Sequence, residues 1–409
     1  MKSSPYALFI LFLVVFLDLL GIGIIIPVLS PLILNGTGDL VPSHWNDATR
    51  SHLLGFLIAS YPLAQFFGAP VLGKLSDRFG RKKILTVSLF GTMLGYLLFG
   101  FGVLSENLWL LFASRILDGF TGGNIAVANS AIADLSPDPQ TRAKNFGMIG
   151  MAFGFGFVMG PALGGLLSDP SVLPWFGPAV PFWFAAGLSA TNLLFVAFFF
   201  KESLQNKVWS RIRFFMGFHN IAKGLRMPKL RALFAVIFLH AFGFAFFTQF
   251  FPVYLVQKFG FESKDIGLFF AYVGVWIAFS QGFLNRLAVN HFSSERILKW
   301  GFPLLALSIA SVALPSVPLW LWLAQPLVAI FEGLVFPNLT TMVSKISSAD
   351  EQGEVLGITQ SLRALAESLP PIIAGFIVVI NVHLPTITSA SIIALAGVTY
   401  FLFFKPTKA

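Results

Sequence analysis

Six charged side chains interrupt long apolar stretches of this chain: Asp18, Arg115 and Asp118 in the first half, Glu332, Arg363 and Glu367 in the second. An ionised group is costly in hydrocarbon, so such residues turn inward, pair with one another, or handle protons and ions. Each set has one guanidinium and two carboxylates. Arg115 and Asp118 lie three residues apart, Arg363 and Glu367 four, so on a helix each pair shares a face. The arginine can neutralise one carboxylate of its set; the other is left to hold a proton or bind a cation. At ~1.5 Å of rise per residue, all six fall near the middle of their stretches. The competing reading makes all six static clamps, and for the two arginines it is equally good.

Seven polar residues away from loops are candidates to line a cavity: Tyr61, Gln65, Asn124, Asn129, Gln249, Asn338 and Gln360. A few polar groups in an apolar, aromatic surround suit a greasy ligand, although each alone also serves as glue between helices. His240 is a lone histidine on an apolar stretch and reads as a packing residue rather than a proton relay. The six histidines are scattered with no H-x-x-x-H spacing, no Walker A sequence is present, and there is no cysteine. Metal, ATP and thiol chemistry therefore have no support, and no cofactor is expected.

Composition fixes the setting. The 409 residues are 56% hydrophobic and 11% charged, with mean hydropathy +0.80, where soluble domains average about 25% charged residues. Apolar blocks of about 18 or more residues are long enough to cross a bilayer, and helix is the form that satisfies its own backbone there. Twelve spans are expected: 6–34, 51–72, 84–104, 108–134, 143–168, 179–200, 232–257, 265–289, 297–314, 317–344, 353–380 and 384–404. The short basic lead Met1–Pro5 has no cleavage site after it, so the first span is expected to remain. Of the 27 Lys and Arg, 22 fall on one face of this arrangement, three (Arg50, Lys258, Lys264) on the other, and two within spans. That bias puts both termini in the cytoplasm. It also accounts for the net charge of +9 without nucleic acid.

Gly73–Leu85 reads G-K-L-S-D-R-F-G-R-K-K-I-L and holds five of the basic residues. It is expected to be a tight loop, with Asp77 and Arg81 locking the ends of the helices beside it. A later run contains Phe215, Phe218, Ala222 and Leu225 on one stripe flanked by basic residues, which suits a helix lying in the headgroup plane. The halves repeat. Asp118-Gly119…Asn124 matches Glu332-Gly333…Asn338, and Gly147…Pro161…Gly165 matches Gly357…Pro371…Gly375. Pro27-Val28 matches Pro252-Val253, and Asp77-Arg78-Phe79 matches Asn290-His291-Phe292. The expected fold is an all-α membrane protein: twelve transmembrane helices in two pseudo-symmetric six-helix bundles, 1–200 and 232–409, joined by a basic connector 201–231. Such halves usually enclose a midplane site and rock around it. Gly156, Gly160 and Gly164, with Pro161 among them, form a smooth helix face. Gly274, Ala278 and Gly282 offer a partner stripe, and the two are expected to meet as a pivot between halves.

Gly73–Leu85 resembles the loop 2–3 signature of the major facilitator superfamily at essentially every position. The run ending Gly160-Pro161…Gly164-Gly165 resembles the antiporter signature of its drug-efflux members. Leu17-Asp18 through Gly21, Gly23 and Pro27 is similar to the helix 1 signature of drug:proton antiporters, Arg115…Gly119 to that of helix 4, and Ala133–Gly165 to the tetracycline-efflux branch. The resemblance implies a latch of Gly73, Asp77, Arg78, Gly80, Arg81 and Asp134 that holds the outward-facing state. Asp77 would cap the N-terminus of helix 11. It also implies that Asp18 is the protonation site, tied electrostatically to Arg115. The second-half latch is degenerate, with Asn290, Ser293 and Ser294 at the charged and glycine positions. The expected protein is a monomeric, proton-coupled antiporter of the bacterial cytoplasmic (inner) membrane that exports a small amphiphilic molecule and is no enzyme. A symporter or facilitator importing a metabolite, or a receptor that moves nothing, stays open as an alternative.

Overall fold

The structure, a computed structural model, describes residues 5–36, 40–136, 139–204, 207, 209, 214–314, 317–346 and 352–404. Every expected span is helical. The first half gives α1 (Pro5–Leu34), α2 (Asp47–Phe79), α3 (Arg81–Leu104), α4 (Leu108–Thr121), α5 (Asn124–Asp134), α6 (Pro139–Leu167) and α7 (Val180–Phe199), followed by α8 (Met216–Leu225) in the connector. The second half gives α9 (Arg231–Phe259), α10 (Ser263–Phe279), a π turn (Ser280–Leu284), α11 (Asn285–His291), α12 (Ser294–Val312), α13 (Pro318–Ile346), α14 (Gln352–Ser368), α15 (Pro370–Ile380) and α16 (Leu384–Phe403). Among the described residues nine helices are long and apolar enough to cross a membrane.

Three spans read as single helices are broken. The fourth stops at Gly122-Gly123 between α4 and α5, where two glycines lower the cost of leaving the helix. The eleventh breaks at Leu369 before Pro370 and Pro371, which lack the N–H that would continue the ladder. The eighth carries the π turn.

The basic stretch after Gly73 is not the tight loop expected. α2 continues in helix through Phe79, and α3 begins at Arg81. One residue makes the whole reversal: Gly80, at φ 107° and ψ 150°, a region open to little but glycine. A Cβ there would also collide with the Glu202 carboxylate. Gly80→Ala should therefore destabilise the protein by about 1–3 kcal/mol, read as a lowered unfolding midpoint. An unchanged midpoint would show that the turn is not strained. The degenerate copy uses different chemistry: Ser293 accepts a hydrogen bond from the Arg296 N–H at 3.4 Å and caps α12 with its side chain.

The chain forms two compact units. The first holds 1–46, 60–216 and 262–271; the second holds 47–59, 217–261 and 272–409. The start of α2 belongs to the second unit and the start of α10 to the first. Duplicated glycine contacts account for both exchanges. In the first unit a Cβ on Gly267 would stand 2.5 Å from the Pro161 carbonyl oxygen, and one on Gly165 2.6 Å from that of Ser263. In the second, Gly55 would meet the Pro371 carbonyl oxygen at 2.5 Å and Gly375 that of Ser51 at 2.8 Å. Pro161/Gly165 and Pro371/Gly375 are one of the repeated pairs in the sequence, so the same backbone-on-backbone approach is built twice. The first copy adds an ion pair, Lys264 Nζ to Asp169 Oδ2 at 3.3 Å. Hydrogen bonds from the Ser171 N–H and hydroxyl hold the Asp169 carboxyl below its usual range, so the pair persists above that lowered range and is lost only as pH falls through it.

The core of the first unit packs Leu11, Val14 and Val15 of α1 against Leu85 and Leu89 of α3, Val127 and Ala131 of α5, and Val196 and Phe200 at the end of α7. Large apolar side chains such as Trp109, Phe198 and Leu307 remain exposed, as a lipid-facing surface requires. α8 docks its glycine edge in the second unit, Gly224 against Ile358 and Phe234, and Asn220 Nδ2 donates to Ser361 Oγ at 3.1 Å. Phe218, Ala222 and Leu225 are exposed, in keeping with the interfacial stripe.

Candidate functional site

In the first unit α1 supplies Asp18 and α4 supplies Arg115 and Asp118, all buried. Arg115 Nη1 stands 3.8 Å from Asp118 Oδ2, and the guanidinium carbon lies 4.5 Å from the centre of the Tyr61 ring. Arg115 Nε and Nη1 make no hydrogen bond among the described residues. Asp18 was expected to be tied to Arg115; the ion pair that Arg115 makes is with Asp118. The physical reason is local: three residues along one helix bring Arg115 and Asp118 to the same face before any other helix is involved. Asp18 is thus the left-over acid. Its Oδ2 and both amide atoms of Asn124 complete no hydrogen bond among the described residues, although the Asn124 side chain lies alongside Asp18.

Two neighbours escaped the sequence reading. The Tyr96 hydroxyl packs against Gly21, one helical turn after Asp18, and Asp118 packs on Gly95, where a Cβ would stand 2.8 Å from its own. The signal for the first was a glycine, Gly21, one turn from an acid, too common to single out. Gln65 Nε2 donates to the Gly122 carbonyl oxygen at 3.2 Å, where α4 ends. Tyr61 lets Gly119 approach its backbone, and Asn129 leaves its Oδ1 without a partner among the described residues.

In the second unit Glu332 on α13 pairs with His240 on α9, Nε2 to Oε2 at 2.9 Å. The histidine read as packing is therefore a hydrogen-bond partner of a buried carboxylate, a contact invisible in sequence because 92 residues separate the two. Arg363 on α14 donates from Nη2 to Thr340 Oγ1 at 3.2 Å, and its guanidinium carbon stands 4.3 Å from the centre of the Phe336 ring. Glu367 and Glu332 both act on its charge. Gln249 Nε2 donates to the Glu367 carbonyl oxygen at 3.2 Å, and Asn338 Nδ2 donates to Asn285 Oδ1 at 2.7 Å. Gln360 is half-buried.

The Arg81 network comes together in the first unit. Arg81 binds Asp77 at 2.6 Å, Asp134 at 2.9 Å and the Ser76 hydroxyl at 2.6 Å. Glu202 joins from beyond α7, accepting from the N–H groups of Arg81 at 2.9 Å and Lys82 at 3.2 Å. It thus satisfies free N–H groups at the start of α3. Arg78 stacks over Trp209 at 4.1 Å, and Gly73 faces open space. The turn before α14, which Asp77 was expected to cap, lies outside the described residues, as do Lys2, Arg211, Arg213, Lys405 and Lys408 of the basic set.

The glycine stripe of α6 packs elsewhere than expected. Gly156 meets Leu19, Gly160 meets Leu20 and Gly23, and Gly164 meets Ile24. These contacts fasten α6 to α1, the helix of Asp18, while Pro161 faces Gly23 and Gly267. Gly274 is buried, but Ala278 and Gly282 are exposed. A smooth face attracts whichever helix also has small residues in register, and Gly23 of α1 provides that.

A family model described as Major Facilitator Superfamily matches residues 11–371. The chain is 33% identical over 376 residues to tetracycline resistance protein, class C, of Escherichia coli, covering 91% of this chain and 89% of that one. It is 28% identical over 402 residues to multidrug resistance protein 2 of Bacillus subtilis, covering 96% and 94%. Among solved structures, the human organic anion transporter MFSD10 (TETRAN) superposes with a TM-score of 0.74 at 25% identity, covering 97% and 99%. All-helical, duplicated, with charges buried in apolar helices and matched over nearly its whole length, the chain belongs to the major facilitator superfamily and is a multi-pass membrane transporter of small molecules.

Proposed function

We propose that this chain is a proton-coupled antiporter that exports a small amphiphilic molecule across the bacterial cytoplasmic membrane. In this reading it works as a monomer with twelve spans and cytoplasmic termini. The observation that carries the reading is Asp18: a buried carboxylate whose Oδ2 has no hydrogen bond among the described residues, in a set whose other carboxylate, Asp118, already has Arg115 at 3.8 Å. Similarity to tetracycline and multidrug resistance proteins supports drug-like cargo and export. Adding a proton to Asp18 removes one of two like charges and so biases the balance between inward- and outward-open states. The Arg81–Asp77–Asp134 network would be the latch of one state. Tyr61, Gln65, Asn124, Asn129, Gln249, Asn338 and Gln360 would contribute to cargo contacts, with Arg115, Asp118, Glu332, Arg363 and Glu367 setting the charge around them.

A second reading concerns the cargo's sign. The acid excess favours cationic or zwitterionic molecules. Yet two donor nitrogens of Arg115 have no hydrogen bond among the described residues, and the similar human protein is an organic anion transporter. A thermal-shift screen of cationic, zwitterionic and anionic amphiphiles, followed by flux at two pH values, separates the cases. The antiport reading expects a stabilising ligand whose flux depends on the pH difference. PH-independent flux of that ligand would refute it.

A further inference from the structure

We propose that α8 and the basic residues that follow it form a docking surface for anionic phospholipid headgroups of the cytoplasmic leaflet; the leaflet follows from the orientation proposed above. At about 100° per residue, α8 (Met216–Leu225) sorts into three edges. Gly217 and Gly224 are buried, and theirs is the docked edge. A Cβ on Gly224 would stand 2.8 Å from Ile358 Cγ2 and 3.1 Å from Phe234 Cδ2, and Asn220 Nδ2 donates to Ser361 Oγ at 3.1 Å. Phe218, Ala222 and Leu225 make an exposed apolar edge, and His219, Lys223 and Arg226 an exposed polar one. Lys229 and Arg231, just beyond, are exposed too. An apolar edge beside a basic one belongs to a helix whose apolar side enters the acyl boundary while its cations meet phosphates.

Depth agrees with this. Phe234 and Ile358 lie within two turns of the starts of the expected spans 232–257 and 353–380, which holds α8 at the edge of the hydrocarbon. The chain leading into α8 is anchored in the first unit, where Phe214 stacks on Phe67 at 4.7 Å and Trp209, 71% exposed, lies 4.1 Å from the Arg78 guanidinium. Exposed tryptophan is typical of headgroup level. Charge agrees as well. Residues 203 to 231 hold seven Lys and Arg and no Asp or Glu. An orientation signal needs only the number of such charges; it does not need them on one edge of a helix, next to exposed Phe and Leu. Basic clusters of this size beside a span are attracted to anionic lipid. α8 has ten residues, too few for a stable helix in water, so the lipid surface also helps to keep it helical. Through Asn220 and Ser361 that surface reaches α14, the helix of Arg363 and Glu367.

The test is hydrogen exchange of the α8 segment in the full-length protein, in vesicles of phosphatidylcholine and in vesicles with a fifth of it replaced by phosphatidylglycerol. Each basic side chain near an anionic surface is worth about fivefold in binding, so phosphatidylglycerol should slow exchange in α8 by at least about fivefold. High salt should remove the slowing. Arg226→Gln/Lys229→Gln changes two exposed residues and leaves five basic residues of the connector to set orientation. It should exchange as wild type does in phosphatidylcholine and lose most of the slowing. Phe218→Ser/Leu225→Ser should exchange faster in both vesicles. Equal exchange of wild-type α8 in the two vesicles, or a slowing that the Gln variant keeps, overturns the proposal. Equal slowing by inorganic phosphate added to phosphatidylcholine vesicles overturns it in favour of a free-ion site. Unchanged exchange of the Ser variant overturns it by placing the apolar edge outside the membrane. The measurement involves neither cargo nor proton flux, so its failure would leave the Asp18 reading untouched.

Discussion

Asp18→Asn is expected to fold, bind cargo and catalyse cargo-for-cargo counterflow, yet to lose proton-driven transport. The substitution keeps the shape of the side chain and fixes it in an uncharged state, so the group can no longer change charge during the cycle. A coupling free energy of about 1–3 kcal/mol corresponds to about 5- to 150-fold in affinity; with that coupling removed, flux driven by an imposed pH difference should fall to the level seen without one. Asp118→Asn should do less, because Asp118 already has Arg115 as counter-ion. If Asp118→Asn abolished coupling while Asp18→Asn kept it, the assignment of the left-over acid would be reversed. Flux into vesicles with and without an imposed pH difference, beside counterflow at equal pH, reads the two functions apart.

Gly55→Leu and Gly267→Leu should each impair net transport without removing the buried charge sets. In both, the new Cβ would stand 2.5 Å from a backbone carbonyl oxygen, of Pro371 or Pro161. Backbone does not swing aside as a long side chain can, so two helices must separate. Overpacking of this kind costs about 1–3 kcal/mol, charged against the conformation described here. Because the two contacts are duplicates, Gly55→Leu and Gly267→Leu should have similar effects, and the double variant should exceed either alone. Alanine should give an intermediate loss. Flux of the five variants at a fixed pH difference checks the series, and wild-type rates in both leucine variants would show that neither contact forms during the cycle.

Spans, duplication and the positions of the six charges within apolar stretches were legible in the sequence, because membrane helices must be apolar over about 20 residues and any charge within them stands out. The Arg81 network was legible through a local spacing, Asp77 to Arg81, together with a resemblance that added Asp134. What escaped was pairing between distant segments. His240 finds Glu332 across 92 residues, and Glu202 finds the start of α3 across 121. Neither leaves a periodic trace. The partner of the glycine stripe was misjudged for a related reason. Small residues announce that something approaches closely but not which helix does, and both α1 and α10 carried glycines in suitable register. The stretch from Gly73 was read as a tight loop and not as a turn of the single residue Gly80, since a helix can run past the apolar boundary for as long as its charged residues reach water.

The most direct measurement is simultaneous proton and cargo flow in vesicles holding the purified protein in one orientation, with tetracycline and the ligands found by thermal shift as probes. With an imposed cargo gradient and no initial pH difference, protons should move opposite to cargo, and Asp18→Asn should abolish the proton movement. Protons moving in the same direction as cargo, or cargo moving at full rate with no proton movement, would contradict the account.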